Sequence, residues 1–264
     1  MIHKILNLYK DKKISVILPT FNEEVNILRN LRILEEELAQ YFDNYEIIVV
    51  SDGSRDNTYM AAQSYESDKV KIFHYQENIG KGFALKYGFS KSIGDYVIFI
   101  DGGLELHPQD IKVFLGLMDI YGADMIIGSK RHPQSDVNYP LHRRILSRIY
   151  QLLIRLLLKV NVKDTQVGLK LFRRNVLADT LPRVLVKKYA FDLELLVVAN
   201  HLGYSKIIEA PIRLDFSVNQ KRSLLKNLAH TFRVGWPLIW DTMAVIYRFR
   251  ILKHYQQKPE EDKK

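Results

Sequence analysis

Cysteine is absent from the 264 residues. A disulfide framework, a thiolate zinc site, an iron–sulfur cluster and a cysteine nucleophile are all excluded on that ground. A long uninterrupted apolar run is missing as well. The first residues, MIHKILNLYKDKK, hold no apolar core leading to a small-residue cleavage site, which predicts no signal peptide and no secretion. The most apolar late stretch, 232–252, is broken by Arg233, Asp241, Arg248 and Arg250. A bilayer span needs about 20 mostly apolar residues, and each central charge costs about 2.5–3.5 kcal/mol. This stretch is therefore expected to lie at an interface or pack on the protein. Repeats and low-complexity tracts are missing too, apart from the charged tail KPEEDKK. With 47% hydrophobic and 26% charged residues, wholesale disorder, collagen and coiled coil are excluded. Acidic residues fall short of basic ones, 30 against 39, and the net charge of +9 favours an anionic partner.

What is present is an alternation of strand and helix patterns. Residues 14–18 are an apolar run closed by Pro19, a buried-strand pattern. Asn22 is placed to cap the next helix, with Glu23 and Glu24 in its first turn. Val25, Leu28, Leu31, Leu34 and Leu38 keep helical spacing after it. Residues 46–50 predict a second strand, closed by SDGSRDNT; a helix follows, then a strand at 70–75. Beyond these, 80–90 predicts a helix, 96–100 a strand, 108–121 a helix and 124–128 a strand. This order implies an α/β domain with a parallel sheet covered on both faces. Ligands in such sheets bind beyond the carboxyl ends of the strands, which singles out the loops 19–24, 51–58, 78–82 and 101–107.

Those loops carry oxygen and phosphate chemistry. Asp52 can accept hydrogen bonds from a base or a ribose, although Asp-Gly is equally a plain turn with Ser54 or Asp56 capping the next helix. Asp101 ends the run YVIFI and Glu105 lies four residues on. Carboxylates at a strand end can hold Mg²⁺ or Mn²⁺ while substrate phosphates complete the shell; the plain alternative is a solvated acidic turn. The segment Asn78-Ile-Gly-Lys-Gly could aim backbone N–H groups and Lys81 at a phosphate. It matches neither the Walker nor the dinucleotide pattern, so its glycines are expected to serve a tight turn and close helix packing.

The runs SVILPTFNEEVNI, EIIVVSDGSRDNT and NIGKGFALKYGFSKSIGDYVIFIDGG together resemble the inverting family-2 glycosyltransferases of GT-A fold. Further on, GSKR, RRILS, DTQVGLKLFRR, FDLELL and IIEAPIRL are similar to one branch, the polyprenyl-phosphate sugar synthases. That branch includes dolichyl-phosphate mannose synthase and dolichyl-phosphate glucosyltransferase. The resemblance covers about residues 14–215. It implies a Rossmann-like GT-A domain at 1–215, with a mostly parallel central sheet and helices on both faces, followed by an amphipathic, membrane-interfacial segment and charged tail at 216–264.

It also implies roles for particular positions. Pro19, Phe21, Glu23, Lys81, Gly102 and Gly103 would line the donor pocket, and Asp52 would bind the base. Asp101 would be the first acid of an Asp-x-Asp metal motif whose second acid is here Gly103; Glu105 is expected to share the Mg²⁺ or Mn²⁺ instead. Lys130, Arg143 and Ser147 match positions that hold phosphate, with Lys130 replacing a more usual Arg and losing its bidentate fork. Asp164, Thr165 and Gln166 match an Asp-Thr-Gln motif of the glucose branch, and Asp192 and Glu194 match its acidic pair. The plain alternative for those two acids is partnership with Lys187 and Lys188. Lys221 and Arg222 match loosely a basic element that closes over the donor.

The expected reaction moves a hexose from a nucleotide sugar, UDP-glucose or GDP-mannose in type, to a polyprenyl phosphate, with inversion. Such an acceptor is already anionic, so alignment and stabilisation of the leaving diphosphate are the main tasks. From 141 to 160, apolar residues fall at 141, 145, 146, 149, 152, 153, 156, 157 and 160, against a stripe of Arg144, Arg148, Gln151, Arg155 and Lys159. A basic, apolar-faced helix of this kind can lie on an anionic bilayer or pack on the core with its basic face in water. Trp236, Trp240, Tyr247 and Phe249 suit an interface as well. The expectation is a peripheral protein on the cytoplasmic face of a membrane, by itself or with a membrane subunit. Two other readings compete: a catalytically lapsed nucleotide-binding or regulatory subunit, motivated by Gly103, and a nucleic-acid binder, motivated only by charge and lacking a recognisable module. A nucleic-acid partner is not expected.

Overall fold

The computed structural model describes residue 9 and residues 11–137, 141–214 and 224–256; side chains at 141–149, 224–235 and 256 are not described. Ile14–Thr20 (β1) and Tyr45–Asp52 (β2) are buried along their whole length. That is what a β-branched run covered on both faces requires. Side chains alternate between two cores. Ile14, Val16 and Leu18 face one, and Ile17 faces the other. The first core is closed by Ile27–Ala39 (α1), through Ile27, Leu31, Leu34 and Leu38. Thr58–Gln63 (α2) and Val70–Tyr75 (β3) follow. Lys81–Lys91 (α3) closes the second core through Ala84 and Leu85. Tyr96–Phe99 (β4), Ile111–Tyr121 (α4) and Met125–Gly128 (β5) complete the regular alternation.

The remaining elements are Asp136–Val137 (β6), Leu141–Leu158 (α5), Lys170–Arg173 (β7), Arg174–Thr180 (α6), Phe191–His201 (α7), Ile207–Ala210 (β8), Arg213–Leu214 (β9) and Leu224–Arg250 (α8). The main sheet has the order β3-β2-β1-β4-β7-β5-β8, and β6 pairs with β9 in a small second sheet. The sheet is mostly parallel, as expected, with one strand reversed. β7 runs antiparallel to both β4 and β5. It is four residues long and opens on a lysine, so no apolar run announces it.

Three local expectations are corrected. Asn22 does not cap α1: its backbone is left-handed, and α1 begins four residues later than the pattern implied. Glu23 and Glu24 therefore stand in a loop, and Val25 and Leu28 are exposed. Residues 108–110 form a 3₁₀ turn ahead of α4 rather than its first turn. The helix at 141–158 packs on the core through Gln151, Ile154 and Leu158, while Leu152, Leu153 and Leu156 face outward. Its polar stripe thus lends Gln151 to the interior, where Nε2 donates to Thr165 Oγ1 at 3.1 Å.

From residue 236 the C-terminal helix is part of the same body. Val245 and Tyr255 belong to the second core. Glu194, fully buried on α7, accepts from the amides of Leu185 and Val186 and from the guanidinium of Arg248, 2.9 Å away, and also from the Tyr255 hydroxyl. Neither Lys187 nor Lys188 pairs with it, contrary to the plain sequence alternative. Removing one partner of such a buried ionic cluster costs about 3–5 kcal/mol. Glu194→Ala should lower stability by about that much in urea unfolding followed by circular dichroism; a loss under about 1 kcal/mol, the size of an ordinary exposed contact, would show that the cluster does not hold α8.

Candidate functional site

Two loops at the carboxyl ends of β1 and β2 are laced together by side chain to backbone bonds. The Asn22 amide donates to Ser54 Oγ and its Oδ1 accepts from the Arg55 amide. The Glu23 amide donates to Thr58 Oγ1 at 2.7 Å, and Glu24 accepts from both nitrogens of Asn57. Polar residues in both loops thus satisfy backbone groups that no sheet or helix reaches. The lacing holds Glu23 beside the end of β4.

Asp52 ends β2 and is buried. Its carboxylate accepts from the Tyr75 hydroxyl at 2.8 Å, from Asn78 Nδ2 and from the amides of Ile79 and Gly80. These bonds anchor the 78–80 turn against the end of β2. Gly53, at φ +61°, leaves room for the Glu77–Asn78 backbone, which a Cβ would overlap. Gly80, at φ +123°, lets the turn enter α3 against the carbonyl of Lys187. Gly80 serves the turn and Gly82 packs closely on Phe191, as expected for the 78–82 segment.

A cleft of about 400 Å³ opens where β1, β4 and β5 end. Glu23, Asp101, Gly103, Glu105, Lys130, Gln166 and Gly168 line it, with Leu106, Val167, Ile212 and Leu214 as apolar wall. Asp101 follows β4, where the Gly102 amide donates to the Pro19 carbonyl and the Leu104 amide to the Asp101 carbonyl. Gly168 packs so tightly on the Asp101 carboxylate that a Cβ there would overlap it. Burial raises the pKa of Glu105, and the nearby Asp101 and Glu23 raise it further. Glu23 Oε1 lies 3.4 Å from where a Cβ on Gly103 would stand. A carboxylate from the first loop therefore sits beside the position that lacks an acid.

Lysines answer these acids. Lys81 Nζ is 2.6 Å from Asp101 and 3.6 Å from Asp192. Lys170, fully buried on β7, is 2.6 Å from the other Asp192 oxygen and also donates to the Val167 carbonyl. Burial opposes the charge on Lys81, but Asp101 and Asp192 outweigh it and raise its pKa. Burial likewise opposes charge on Asp192, and Lys170 and Lys81 win, holding it below the ordinary carboxylate range. On the far wall, the Lys130 amide donates to Asp164 Oδ2, with Nζ 3.5 Å from the same oxygen, and the Gln166 amide donates to Oδ1. Among the described residues, Gln166 Nε2 is buried with no partner. The five acids Glu23, Asp101, Glu105, Asp164 and Asp192 exceed Lys81, Lys130 and Lys170 by two charges.

The fold thus brings Glu23, Asp101, Gly103, Glu105 and Lys130 to one cleft, with Lys81, Asp164 and Asp192 directly behind them. Pro19 is buried in β1, and Phe21 stands exposed at its end. The side chains of Arg143 and Ser147, and residues Lys221 and Arg222, lie outside the described residues. Lys170, Gly168 and the proximity of Glu23 to position 103 were not anticipated. The only sequence signal for Lys170 was a lysine flanked by apolar residues in GLKLF.

Comparison with known proteins follows the same lines. The model of glycosyl transferase family 2 matches residues 15–181. The chain is 33% identical over 226 residues to the dolichyl-phosphate beta-glucosyltransferase of Homo sapiens, across 78% of this chain and 68% of that protein. It is 28% identical over 234 residues to glycosyltransferase AglD of Haloferax volcanii, across 86% of this chain but only 37% of that one. Among solved structures, glucosyl-3-phosphoglycerate synthase from Mycobacterium tuberculosis, with Mn²⁺, UDP and phosphoglyceric acid, shares the fold at TM-score 0.69 and 20% identity, covering 93% of this chain and 82% of that one. The same enzyme with Mg²⁺ and UDP gives TM-score 0.67 at 18% identity, covering 93% and 83%.

The commitment of Asp52 to the 78–80 turn is open to test. Hydrogen bonds to a charged group contribute about 1.5–3 kcal/mol each. Asp52→Ala should lose at least about that much stability, and the amides of Ile79 and Gly80 should exchange with solvent faster. Unchanged exchange at both amides would show that the carboxylate does not hold the turn.

Proposed function

We propose that this chain, which belongs to glycosyl transferase family 2, transfers a hexose from a nucleoside diphosphate donor to a polyprenyl phosphate of the dolichyl type. UDP-glucose is the favoured donor, because the human and mouse relatives are named for glucosyl transfer to dolichyl phosphate; GDP-mannose is the alternative. The observation that carries the reading is the acidic cleft at the carboxyl ends of β1 and β4, faced by Lys130.

Mg²⁺ or Mn²⁺ fits that cleft. Its donors are hard oxygens, and its acids exceed its lysines by two charges. Among the described residues no group of three acidic or histidine side chains forms a cage. That suits an ion held by one or two carboxylates and completed by substrate phosphates. Asp101 and Glu105 would hold it, with the Glu23 carboxylate adding negative charge beside position 103. Bound there, the ion would offset charge gathering on the departing diphosphate.

The chain's own side chains bind and align. A phosphate monoester carries about −1.5 to −2 charges near neutral pH, so the acceptor needs no general base. Lys130, fixed by Asp164, presents a cation to that phosphate, and Arg143 and Ser147 are assigned to help it. Val167, Ile212 and Leu214 keep water from the same wall, which protects the donor from hydrolysis. Attack opposite the leaving diphosphate inverts the anomeric carbon. Gln166 offers its spare N–H to a sugar hydroxyl, and Lys81 with Lys221 and Arg222 to the donor.

A lipid acceptor needs a lipid-facing surface. No helix of the described residues is long and apolar enough to cross a membrane. Leu152, Leu153 and Leu156 on α5 are nevertheless exposed, and so are Trp236, Trp240 and Met243 on α8. Tyr150 and Thr242 tie the two helices by a 2.9 Å hydrogen bond, so these side chains belong to one body. We assign this face to the acyl boundary of an anionic bilayer, on the cytoplasmic side, with the basic residues of α5 at the headgroups.

Asp101→Ala should abolish glucose transfer to a short polyprenyl phosphate while thermal melting stays near wild type. Rates within about threefold of wild type, a loss under 1 kcal/mol in transition-state terms, would remove Asp101 from the site. In flotation assays, Leu152, Leu153 and Leu156 replaced together by Ser should release the protein from vesicles of anionic phospholipid; equal flotation would take that face off the membrane.

A further inference from the structure

The pairing of Lys81 with the partly exposed Asp101 is awkward to leave in place. Asp101 is the acid that the proposed reading needs for a divalent ion, yet the Lys81 ammonium lies 2.6 Å from it. Lys81 is also the first residue of α3, at the positive end of the helix dipole, where a cation is disfavoured unless carboxylates compensate. It has a second acid within reach, Asp192 at 3.6 Å, but Lys170 already holds Asp192 from a fully buried position. An ion that took Asp101 by itself would leave two ammonium groups sharing one carboxylate beside a divalent charge. A diphosphate arriving with the ion removes that conflict, because it brings its own negative charges to the same ammonium.

We propose that Lys81 is a counterion switch: it competes with a divalent ion for Asp101 and yields only when a nucleoside diphosphate offers it another anion, so that metal and nucleotide bind as a cooperative pair. The inference rests on the metal-assisted glycosyltransfer reading and adds a positioning residue to it. Its consequence is economy of binding. Free ion in the cell does not fill the site, and free nucleotide binds poorly until the ion accompanies it. Linkage makes the two effects equal in size.

The test is Mn²⁺ binding, read by electron paramagnetic resonance and calorimetry, with and without UDP. It needs no turnover. Wild type should bind Mn²⁺ weakly by itself and about tenfold or more tightly with UDP, a typical coupling between two sites. Lys81→Gln should bind Mn²⁺ by itself about tenfold more tightly than wild type, and the gain on adding UDP should shrink by a similar factor. Lys81→Arg, which keeps the charge, should retain the wild-type gain; circular dichroism reports whether each variant is folded. If Lys81→Gln binds Mn²⁺ alone no more tightly than wild type while UDP still tightens both, the switch is overturned and the metal-assisted reading stands. If wild type binds Mn²⁺ equally with and without UDP, the switch is likewise overturned. If no form binds Mn²⁺ even with UDP, the reading and the switch fail together.

Discussion

Buried charge must be paired, and in this molecule the pairing runs as a chain of alternating sign: Lys170, Asp192, Lys81, Asp101. Each member comes from a different part of the fold, β7, α7, the start of α3 and the end of β4. Lys170 is fully buried and Asp192 nearly so. Taking such groups out of water costs several kcal/mol apiece, and only close geometry offsets the cost. Position is therefore tightly specified at the buried end. The solvent end, Asp101, is partly exposed and inherits its placement from the rest. An open carboxylate aimed by a rigid buried support is what a site for charged ligands requires.

A second buried acid does for the C-terminal helix what Asp192 does for the cleft. Glu194 lies two residues further along α7 and joins the 185–186 backbone to Arg248 and Tyr255. The same strap carries the Lys187 carbonyl that receives the Gly82 amide at the start of α3. One helix, buried from Phe191 to Ala199, thus supports the cleft through Asp192 and the exposed apolar face of α8 through Glu194. The cleft and the exposed apolar face share a single support, so the two stand in fixed relation to one another.

Much of this was legible in the sequence, for identifiable reasons. β1 and β2 are buried runs and β3 a partly buried one, all bounded by turn residues, and pattern alone finds them. The acids at strand ends stood out because an open α/β sheet puts its ligands there. Asn22 misled because Asn is equally at home as a helix cap and in a left-handed turn, and only the Ser54–Thr58 loop decides between them. The outward face of α5 was legible as amphipathic but not as outward, since periodicity marks a stripe without saying what covers it. β7, the Lys170–Asp192 pair and the approach of Glu23 to Gly103 were illegible because each is a contact between distant segments, which no local pattern encodes.

The central claim is that the cleft around Asp101, short of one acid by sequence, still supports metal-assisted sugar transfer to a lipid phosphate. The most direct measurement is transfer by the wild-type chain to a short polyprenyl phosphate, across a panel of UDP- and GDP-sugars, with Mg²⁺, Mn²⁺ or EDTA. The account predicts one productive donor, UDP-glucose, with product of inverted configuration and turnover lost in EDTA. Nucleotide binding without turnover on any donor, or turnover indifferent to EDTA, would contradict it.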